Sequence, residues 1–259
     1  MASALLFVLQ MNIGLYQSAA SLSALERWQD AVAQNITSAQ TTGFRKRTVE
    51  FSGVNAGKWN LAPAGKSGTG DEQQAIFTSS SSGINFVSGE TQPTGRDLDV
   101  AIQGPGFFQV QTPDGNTAYT RNGGFHITPD RTLVTAGGAK VLSDSGSPIT
   151  LLPTGGNITI NADGTIVQGS TTLGRLSVQQ ASDTSALIPA AGGMFVAPPG
   201  LAMTPVQKPE LMQSYLEGSN VQPLREMVDL VLISRAYEAN QKVISSTDDQ
   251  MQKTLDALG

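Results

Sequence analysis

A single histidine and the absence of cysteine limit the chemistry available to this chain. A serine–histidine–aspartate relay would have to use His126, and the sequence contains no Gly-x-Ser-x-Gly elbow that could present a nucleophile. His126 follows Phe125 in an alternating segment, which predicts an ordinary strand position. Without cysteine, disulfides, thiolate metal ligands and cysteine nucleophiles are excluded. A hydrolase therefore has little support in the sequence.

Three other short patterns could carry chemistry, and each has a simpler interpretation. Asp97 and Asp99 lie two residues apart, so on a strand they would share a face as a carboxylate pair for acid–base catalysis. A charged face in solvent, or hydrogen bonding to the preceding loop, is favoured for them. Residues 161–164 resemble part of a calcium-binding loop, but the other ligands of such a loop are missing, so they are predicted to form a turn. Residues 104–106 resemble the glycine-rich loop of a dinucleotide site, but two phenylalanines follow where such a site requires the start of a helix. We therefore predict no catalytic residue, cofactor or metal site.

The composition gives no indication of a nucleic-acid-binding protein and leaves two interpretations of the surface open. The net charge is −5 and the isoelectric point about 4.9, so the chain lacks a basic footprint. Charged residues make up 14% of the chain, against roughly 25% in ordinary soluble domains. Either partners cover much of this surface, or the chain is a β protein rich in serine, threonine and glycine.

Both ends of the chain carry the apolar pattern of helices that pack along another helix for many turns. The first helix is predicted to run to about Ser38, with Gly43 ending it, and Pro223 lies near the start of the last helix. Assembly helices over 1–43 and 204–259 should pair as a coiled-coil-like unit, and residues 1–36 and 222–258 should be disordered or marginal in the free monomer. The apolar positions are Val8, Met11, Leu15, Leu22, Leu25, Val32 and Ile36 in the first helix, and Leu230, Tyr237, Ile244, Met251 and Leu258 in the last.

The start of the chain is uncharged up to Glu26, which raises the question of a secretion signal. A signal peptide needs a basic first region and a longer apolar core, and a membrane helix needs about 20 apolar residues. Polar residues such as Gln10 and Asn12 interrupt this segment, so it is predicted to be the front of an amphipathic helix. Met11 is also a plausible start, which would make residues 1–10 an extension.

Residues 90–203 change to a two-residue alternation that is typical of β-strands. Asp-Gly pairs at 114–115 and 163–164 predict two tight hairpins. Short strands at this spacing predict an antiparallel β-sandwich or partly closed barrel, whose core should bury Val100, Ile102, Phe108 and Val110. The predicted strands cover residues 97–103, 107–111, 119–121, 125–127, 132–134, 140–142, 158–160, 165–167 and 173–179.

Residues 44–89 are predicted to be an extended connector between the first helix and the β domain. The first part includes Arg45, Lys46 and Arg47, which could form a phosphate or membrane patch; a solvated face or pairing between subunits is favoured. From residue 52 to residue 89, glycine, serine, alanine and threonine dominate, and such a stretch cannot form a core alone. It is therefore expected to be extended or flexible.

Three stretches of the sequence resemble the flagellar basal-body rod and hook protein family. Residues 34–45 are similar to the family pattern N-x-L-A-N-x-x-T-x-G-F-K, with Thr37 and Ser38 in place of Ala-Asn. Residues 98–123 are similar to L-D-V-A-I…G-F-F…Y-T-R-x-G, and Arg131 stands at the usual glycine of a following turn. Residues 216–221 and 235–240 match the C-terminal pattern, with Ser234 in place of glutamine. The matching residues are Asn35, Thr41, Gly43, Phe44, Leu98, Asp99, Val100, Ala101, Ile102, Gly106, Phe107, Phe108, Tyr119, Thr120, Arg121, Gly123, Glu217, Ser219, Asn220, Val221, Arg235, Ala236, Tyr237 and Glu238.

The resemblance implies a structural subunit, not an enzyme. Hook proteins are longer, so the length favours a rod-type subunit, and proximal and distal rod types both stay open. Such subunits form a helical homopolymer, contact other rod and hook subunits, and leave the cell through the flagellar export apparatus without a cleaved signal. In the basal-body rod, which spans the periplasm, paired helices would line the inner tube and the β domain would form the outer wall. The implied function is to transmit torque and to line the export channel.

A second function class is a secreted adhesive or carbohydrate-binding β protein with helical flanks. Such a protein would need exposed aromatic platforms for its ligand. The chain has two tryptophans, Trp28 in the first helix and Trp59 in the connector, and neither falls in the β domain.

Overall fold

The computed structural model describes residues 2–60, 72–153 and 155–256. Helix α1 (Ala2–Thr37) begins the chain and helix α2 (Pro223–Asp256) ends it. Within the described ranges, no helix combines the length and apolarity that crossing a membrane requires. The strands are β1 (Arg47–Asn60), β2 (Glu72–Ile84), β3 (Thr91–Pro93), β4 (Val100–Gln103), β5 (Phe107–Gln111), β6 (Thr117–Thr120), β7 (Phe125–Ile127), β8 (Leu133–Thr135), β9 (Lys140–Val141), β10 (Ile158–Ile160), β11 (Thr165–Gln168), β12 (Thr171–Arg175), β13 (Val178–Ala181), β14 (Ile188–Pro189), β15 (Met194–Val196), β16 (Met203–Pro205), β17 (Glu210–Gln213) and β18 (Tyr215–Glu217).

The chain divides into two compact units, each built from separate stretches of sequence. The first, called here the helical unit, consists of Met1–Ile36, Arg47–Gly83 and Pro223–Gly259. The second, called the β unit, consists of Thr37–Lys46 and Ile84–Gln222. The four segments predicted from sequence have different bounds from these two units. That those segments fold independently stays a prediction.

The helical unit contains α1, α2 and a ribbon formed by β1 and β2. Helix α1 contacts the ribbon through Trp28, whose ring lies 5.7 Å from that of Phe51 in an edge-to-face arrangement. Arg27 donates a hydrogen bond of 3.4 Å to the carbonyl oxygen of Ser80. A small apolar cluster joins the two helices, and its members are Leu25, Trp28, Val32 and Ile36 of α1 and Leu230, Ile233 and Ala236 of α2.

The β unit is built from antiparallel pairs. Its largest sheet has the strand order β14-β15-β6-β5-β9-β8-β7, and β13 pairs with both β5 and β16. Strands β10, β11 and β12 form a second sheet, while β4 pairs with β17 and β3 with β18. The main core lies among these sheets, where Val100, Phe108 and Val110 have no exposed surface and Ile102 is 3% exposed. The four predicted core residues are therefore confirmed.

The coarse fold class predicted from sequence, mixed α and β with antiparallel strands and a helix at each end, is confirmed. The described strands form no closed barrel. The C-terminal segment is helical only from Pro223, since residues 203–217 form three strands. One of them, β17, buries Leu211 and pairs with β4.

One further expectation is corrected. The predicted strand over 173–179 is two strands because the backbone changes partners at Leu176 and Ser177, whose N–H groups donate to Gly164 and Leu142. The connector, which was expected to be extended or flexible, forms the long extended strands β1 and β2 where it is described. Backbone hydrogen bonding between such strands requires no apolar side chains. Residues 61–71 of the connector lie outside the described part.

Candidate assembly surfaces and buried motif networks

Glu217, at the end of β18, is the acceptor of a buried charge cluster in the β unit. Its side chain is 1% exposed and accepts from Arg45 Nη2 at 2.6 Å and from Arg121 Nη1 at 3.2 Å. The N–H of Gly89 donates to the same carboxylate at 2.9 Å, and the N–H of Gly43 donates to the backbone oxygen of Glu217 at 2.8 Å. All three sequence blocks that carry the family resemblance therefore meet at one carboxylate.

The second guanidinium in this cluster, that of Arg121, has further partners. It donates to the carbonyl oxygens of Ile102 at 3.2 Å and Gly104 at 2.6 Å, and lies 5.4 Å from the centre of the Phe107 ring. Burial lowers the pKa of Arg121 to about 10, while the charge and hydrogen bond of Glu217 oppose that shift and the charge of Arg45 adds to it. The cluster sets two guanidinium groups against one carboxylate, so loss of Glu217 would leave both guanidinium groups buried without this acidic partner.

Asn35, near the end of α1, organises a second polar cluster within the helical unit. The residue is fully buried. Its side-chain oxygen accepts from the N–H of Arg47 at 2.8 Å, and its side-chain nitrogen donates to the Arg47 carbonyl oxygen and to Glu226 Oε2, both at 2.9 Å. One side chain thus holds the end of α1, the start of β1 and the first turn of α2.

Asn220 performs a similar task within the β unit. Its side-chain oxygen accepts from the N–H of Lys46 at 2.6 Å, and its side-chain nitrogen donates to the carbonyl oxygens of Asn85 and Val87, both at 2.8 Å. The N–H of Asn85 donates to the Lys46 carbonyl oxygen at 2.9 Å. Asn220 therefore joins two backbone segments that both precede it by more than a hundred residues in sequence.

Gly43 is required by a close approach and not by the end of α1, which corrects the sequence prediction. Helix α1 ends at Thr37. Gly43 has φ of +69°, and a Cβ there would lie 2.5 Å from the backbone nitrogen of Asn122. Gly123 is packed even more closely, since its Cβ would lie 1.7 Å from the carbonyl oxygen of Val100. Both motif glycines therefore allow backbone segments of the β unit to touch.

Most motif residues of the β unit are buried, which indicates that they maintain the fold of the unit. The buried ones are Gly43, Phe44, Asp99, Val100, Ala101, Ile102, Gly106, Phe107, Phe108, Tyr119, Thr120, Arg121, Gly123, Glu217 and Val221, while Leu98, Ser219 and Asn220 are half-buried and Thr41 is exposed. Arg45 is also buried, at 3% exposure, so it is not part of the solvated basic face expected for residues 45–47. Its guanidinium has an internal carboxylate partner instead.

The predicted helix positions face the interior of the helical unit to different degrees. The side chains of Val8 and Met11, and residue Leu258, lie outside the described part of the chain. Of the remaining predicted positions, Leu25 and Val32 are buried, Leu15, Leu22, Ile36, Leu230, Ala236, Ile244 and Met251 are half-buried, and Arg235, Tyr237 and Glu238 are exposed.

Helix α2 also carries an apolar stripe that the sequence analysis did not identify. At 3.6 residues per turn, its members fall on one side of the helix, opposite buried Glu226 and Ile233. We call it the outer stripe, and it consists of Leu224 (81% exposed), Met227 (51%), Val228 (58%), Val231 (51%) and Leu232 (49%). A contiguous exposed apolar surface of this kind is typical of a contact site.

The residues considered for catalysis are not brought together. His126 is exposed on β7 opposite Val134. Asp97 is exposed in a turn, whereas Asp99 is buried with Arg96 Nη1 at 3.6 Å, so the two carboxylates do not share a strand face. Residues 161–164 form a turn, as predicted, closed by a 2.9 Å hydrogen bond from Gly164 to Asn161. Within the described residues, no group of three or more histidine, cysteine or acidic side chains is arranged to hold a metal.

Comparison with known proteins gives the same class as the three sequence blocks. Residues 101–168 match the family described as flagellar hook protein FlgE/F/G D1 domain, and residues 212–257 match flagellar basal body rod FlgEFG protein C-terminal. The flagellar basal-body rod protein FlgF of Caulobacter vibrioides is 35% identical over 96% of this chain and 99% of its own length. FlgF of Rhizobium meliloti is 31% identical over 96% and 99%. FlgG of Agrobacterium fabrum is 31% identical over 90% and 94%.

Identity at this level over nearly the whole chain shows common descent. The chain belongs to the flagellar basal-body rod protein family and is a structural rod subunit. Relatives named FlgF and relatives named FlgG both match along most of their length. The adhesive or carbohydrate-binding alternative is not favoured by these comparisons.

Proposed function

We propose that this subunit polymerises into a helical tube through α1 and α2, transmits torque along that tube and lines the export channel with its helices. The observation that carries this proposal is the presence of two opposite contact faces on α2. One face contributes Leu230, Ile233 and Ala236 to the cluster shared with α1. The other is the outer stripe, which has no comparable cover within the described residues.

The inner face supports a coiled-coil-like pairing of the two helices. The α1 members of the shared cluster include Leu25 and Val32, which are seven residues apart and both buried. Asn35 near the end of α1 contacts Glu226 in the first turn of α2, so the end of one helix lies beside the start of the other. Helices that pack in this way repeat their contacts every seven residues, and half-buried Ile244 and Met251 continue the repeat along α2.

The outer stripe supports a second helical neighbour, for which we propose another subunit. A helix that is apolar on two opposite faces is normally buried between two partners. In a head-to-tail contact, one surface of each subunit binds a different surface of the next subunit. If the rotation from one subunit to the next does not close a ring, such contacts build an open helical filament. A filament of this kind suits a subunit whose family builds a rod.

The proposal extends to location and partners. The named relatives are basal-body rod proteins, so we place this subunit in the rod that spans the periplasm, next to other rod and hook subunits. Export through the flagellar apparatus without a cleaved signal is part of the same proposal.

A single charge on the outer stripe tests the proposal. Val231 is 51% exposed in the subunit, so Val231→Asp should change the thermal unfolding midpoint of the isolated protein little. Burial of that charge against a neighbour would be costly, so polymerisation at high concentration and motility of a complemented strain should be lost. Ser170→Asp is the control, because Ser170 is exposed in a turn of the β unit and does not belong to α2. Normal polymerisation of Val231→Asp would contradict the proposed interface.

A further inference from the structure

The charge cluster around Glu217 leaves some of its own hydrogen-bond donors without a partner. A guanidinium group carries N–H donors on all three of its nitrogens, and Arg45 uses Nη2 for its 2.6 Å bond to Glu217. Among the described residues, Arg45 Nε, Arg45 Nη1 and Arg121 Nε have no hydrogen-bond partner, although all three atoms are buried. Buried polar groups in folded proteins nearly always have a partner, so these three nitrogens call for a further acceptor.

The carboxylate of Glu217 has too little capacity left to be that acceptor. Its Oε1 already accepts from Arg45 Nη2 and from the N–H of Gly89, and its Oε2 accepts from Arg121 Nη1. Each carboxylate oxygen offers about two acceptor sites. One site on Oε2 therefore remains for the three unpartnered nitrogens.

The cluster is also unbalanced in charge. The side chains of Arg45 and Arg121 are 1% and 4% exposed, and Glu217 is their shared acidic partner. Burial lowers the pKa of Arg121 to about 10, and the charge of Arg45 adds to that shift, so each guanidinium lies within the field of the other. A buried charge without compensation destabilises a fold. An acceptor that carries a negative charge therefore suits this site better than a neutral one.

Of the two guanidinium groups, that of Arg45 is the less well compensated. Arg121 also donates to the carbonyl oxygens of Ile102 and Gly104. Its guanidinium lies 5.4 Å from the centre of the Phe107 ring, whose face attracts a cation. In the described part of the chain, the Arg45 guanidinium has Glu217 as its one hydrogen-bond partner.

We propose that the unpartnered N–H groups of Arg45 bind one chloride ion inside the β unit. The ion accepts hydrogen bonds that the protein leaves unmade, and its charge compensates the guanidinium that exceeds the single carboxylate. Arg45, Arg121, Gly89 and Glu217 all belong to the β unit. The chloride site is therefore independent of the assembly surfaces and of the proposed function.

Calorimetry of the full chain in two sodium salts tests the site. A ligand that binds only the folded state raises its stability as the ligand concentration rises. Once chloride exceeds its dissociation constant, each tenfold increase should raise the folding equilibrium constant of the β unit about tenfold. Sodium gluconate keeps the ionic strength constant but supplies an anion that is too large for a buried site. Equal stability in the two salts would overturn the proposal.

Two variants assign the chloride effect to one arginine. Arg45→Met removes the unpartnered donors and keeps a long side chain, so its β unit should be equally stable in chloride and in gluconate. The matched control is Arg131→Met, which removes an exposed guanidinium of the same unit and should retain the full chloride effect. A chloride effect that survives in Arg45→Met would contradict a site at Arg45.

Crystals of the unsubstituted chain soaked in sodium bromide give a second measurement, which decides the question if Arg45→Met fails to fold. Bromide resembles chloride in size and charge and scatters X-rays anomalously. We expect an anomalous peak within hydrogen-bond distance of Arg45 Nε or Nη1. Density there without an anomalous signal would identify an ordered water only, and it would overturn the proposal.

Discussion

Replacing Glu217 with glutamine should destabilise the β unit more than any other single change in its charge cluster. Glutamine keeps the shape of the side chain but removes the charge that faces Arg45 at 2.6 Å and Arg121 at 3.2 Å. Removing one partner of a buried ion pair costs roughly 3–5 kcal/mol, because the other charge stays buried without compensation. Glutamine can still accept a hydrogen bond, so we expect a loss of about 3 kcal/mol, which lowers the midpoint by roughly 6–12 °C for a unit of this size.

The order of two variants makes this prediction specific to charge. Arg45→Met leaves Arg121 and Glu217 as a balanced pair, so it should cost less than Glu217→Gln, about 1–2 kcal/mol. Glu210→Gln is the matched control, since Glu210 is exposed on β17 and its loss should change stability by less than about 0.5 kcal/mol.

Calorimetry is the suitable assay for these variants, because Trp28 lies in the helical unit and its fluorescence would not report on the β unit. If Glu217→Gln unfolded within error of Glu210→Gln, the cluster would contribute nothing to stability and the reasoning would be refuted. If Arg45→Met cost more than Glu217→Gln, the excess of positive charge could not be the reason for the sensitivity of Glu217.

Three further variants test other parts of the structure. Gly43→Ala should lower the free energy of unfolding by at least roughly 3 kcal/mol, because a Cβ at φ of +69° would overlap the Asn122 backbone. The control Gly115→Ala, at φ of +84° in open space, should lower it by only about 1 kcal/mol. Equal losses in urea unfolding would contradict the close approach at Gly43. Arg131→Gly should stabilise the β unit by about 0.5 kcal/mol in the same assay, since Arg131 has φ of +62°, which glycine adopts without strain. A loss of stability would show that the contacts of the Arg131 side chain stabilise the unit by more than the backbone strain destabilises it. Ile244→Asp places a charge on the half-buried face of α2, so the β unit should keep its midpoint while polymerisation is lost; polymers of normal length, seen by electron microscopy, would show that this face is solvated.

The strands of the β unit could be predicted because their pattern records burial locally. Strands β5, β7 and β10 coincide with the predicted ranges, since alternation of apolar and polar residues reflects which side chains face the core. The Asp-Gly hairpins were also predictable, and Gly115 and Gly164 both have positive φ in the structure. In these places the information lies within a few residues of sequence.

The charge cluster could not be predicted because its information is spread along the chain. Glu217 is separated by 172 residues from Arg45 and by 96 from Arg121, and no spacing rule connects such positions. The resemblance to a family marked Arg121 and Glu217 as matching residues without indicating that they meet. The sequence contains one partial indication of the cluster. Arg45 comes directly after the motif residues Gly43 and Phe44, and an arginine next to a buried segment needs a partner for its charge.

The outer stripe was missed for a different reason. The apolar residues that recur every seven positions from Leu230 onward were sufficient to predict the helix and one contact face. The other apolar residues of the helix were therefore assigned to no contact. Leu224, Val228 and Val231 have the same three-to-four-residue spacing on the opposite side of α2. Apolar residues on two faces of one helix do not follow a single period in the sequence, so the second face became apparent only from the exposure of its side chains.

The helical unit should be only marginally stable before assembly, whereas the β unit should fold alone. Within the described residues, the cluster between α1 and α2 has only Leu25, Val32 and Ile233 as buried members, while the β unit surrounds a far larger apolar core. Helices gain most of their stability from packing of an apolar face, and an interface that forms on association makes stability depend on concentration. We therefore expect the helical circular dichroism signal of the dilute monomer to fall well short of the full length of α1 and α2 and to rise with concentration. Sharp, dispersed amide resonances from both helices in dilute monomer would show that the small cluster is sufficient, and that the outer stripe is not needed to hold α2 in place.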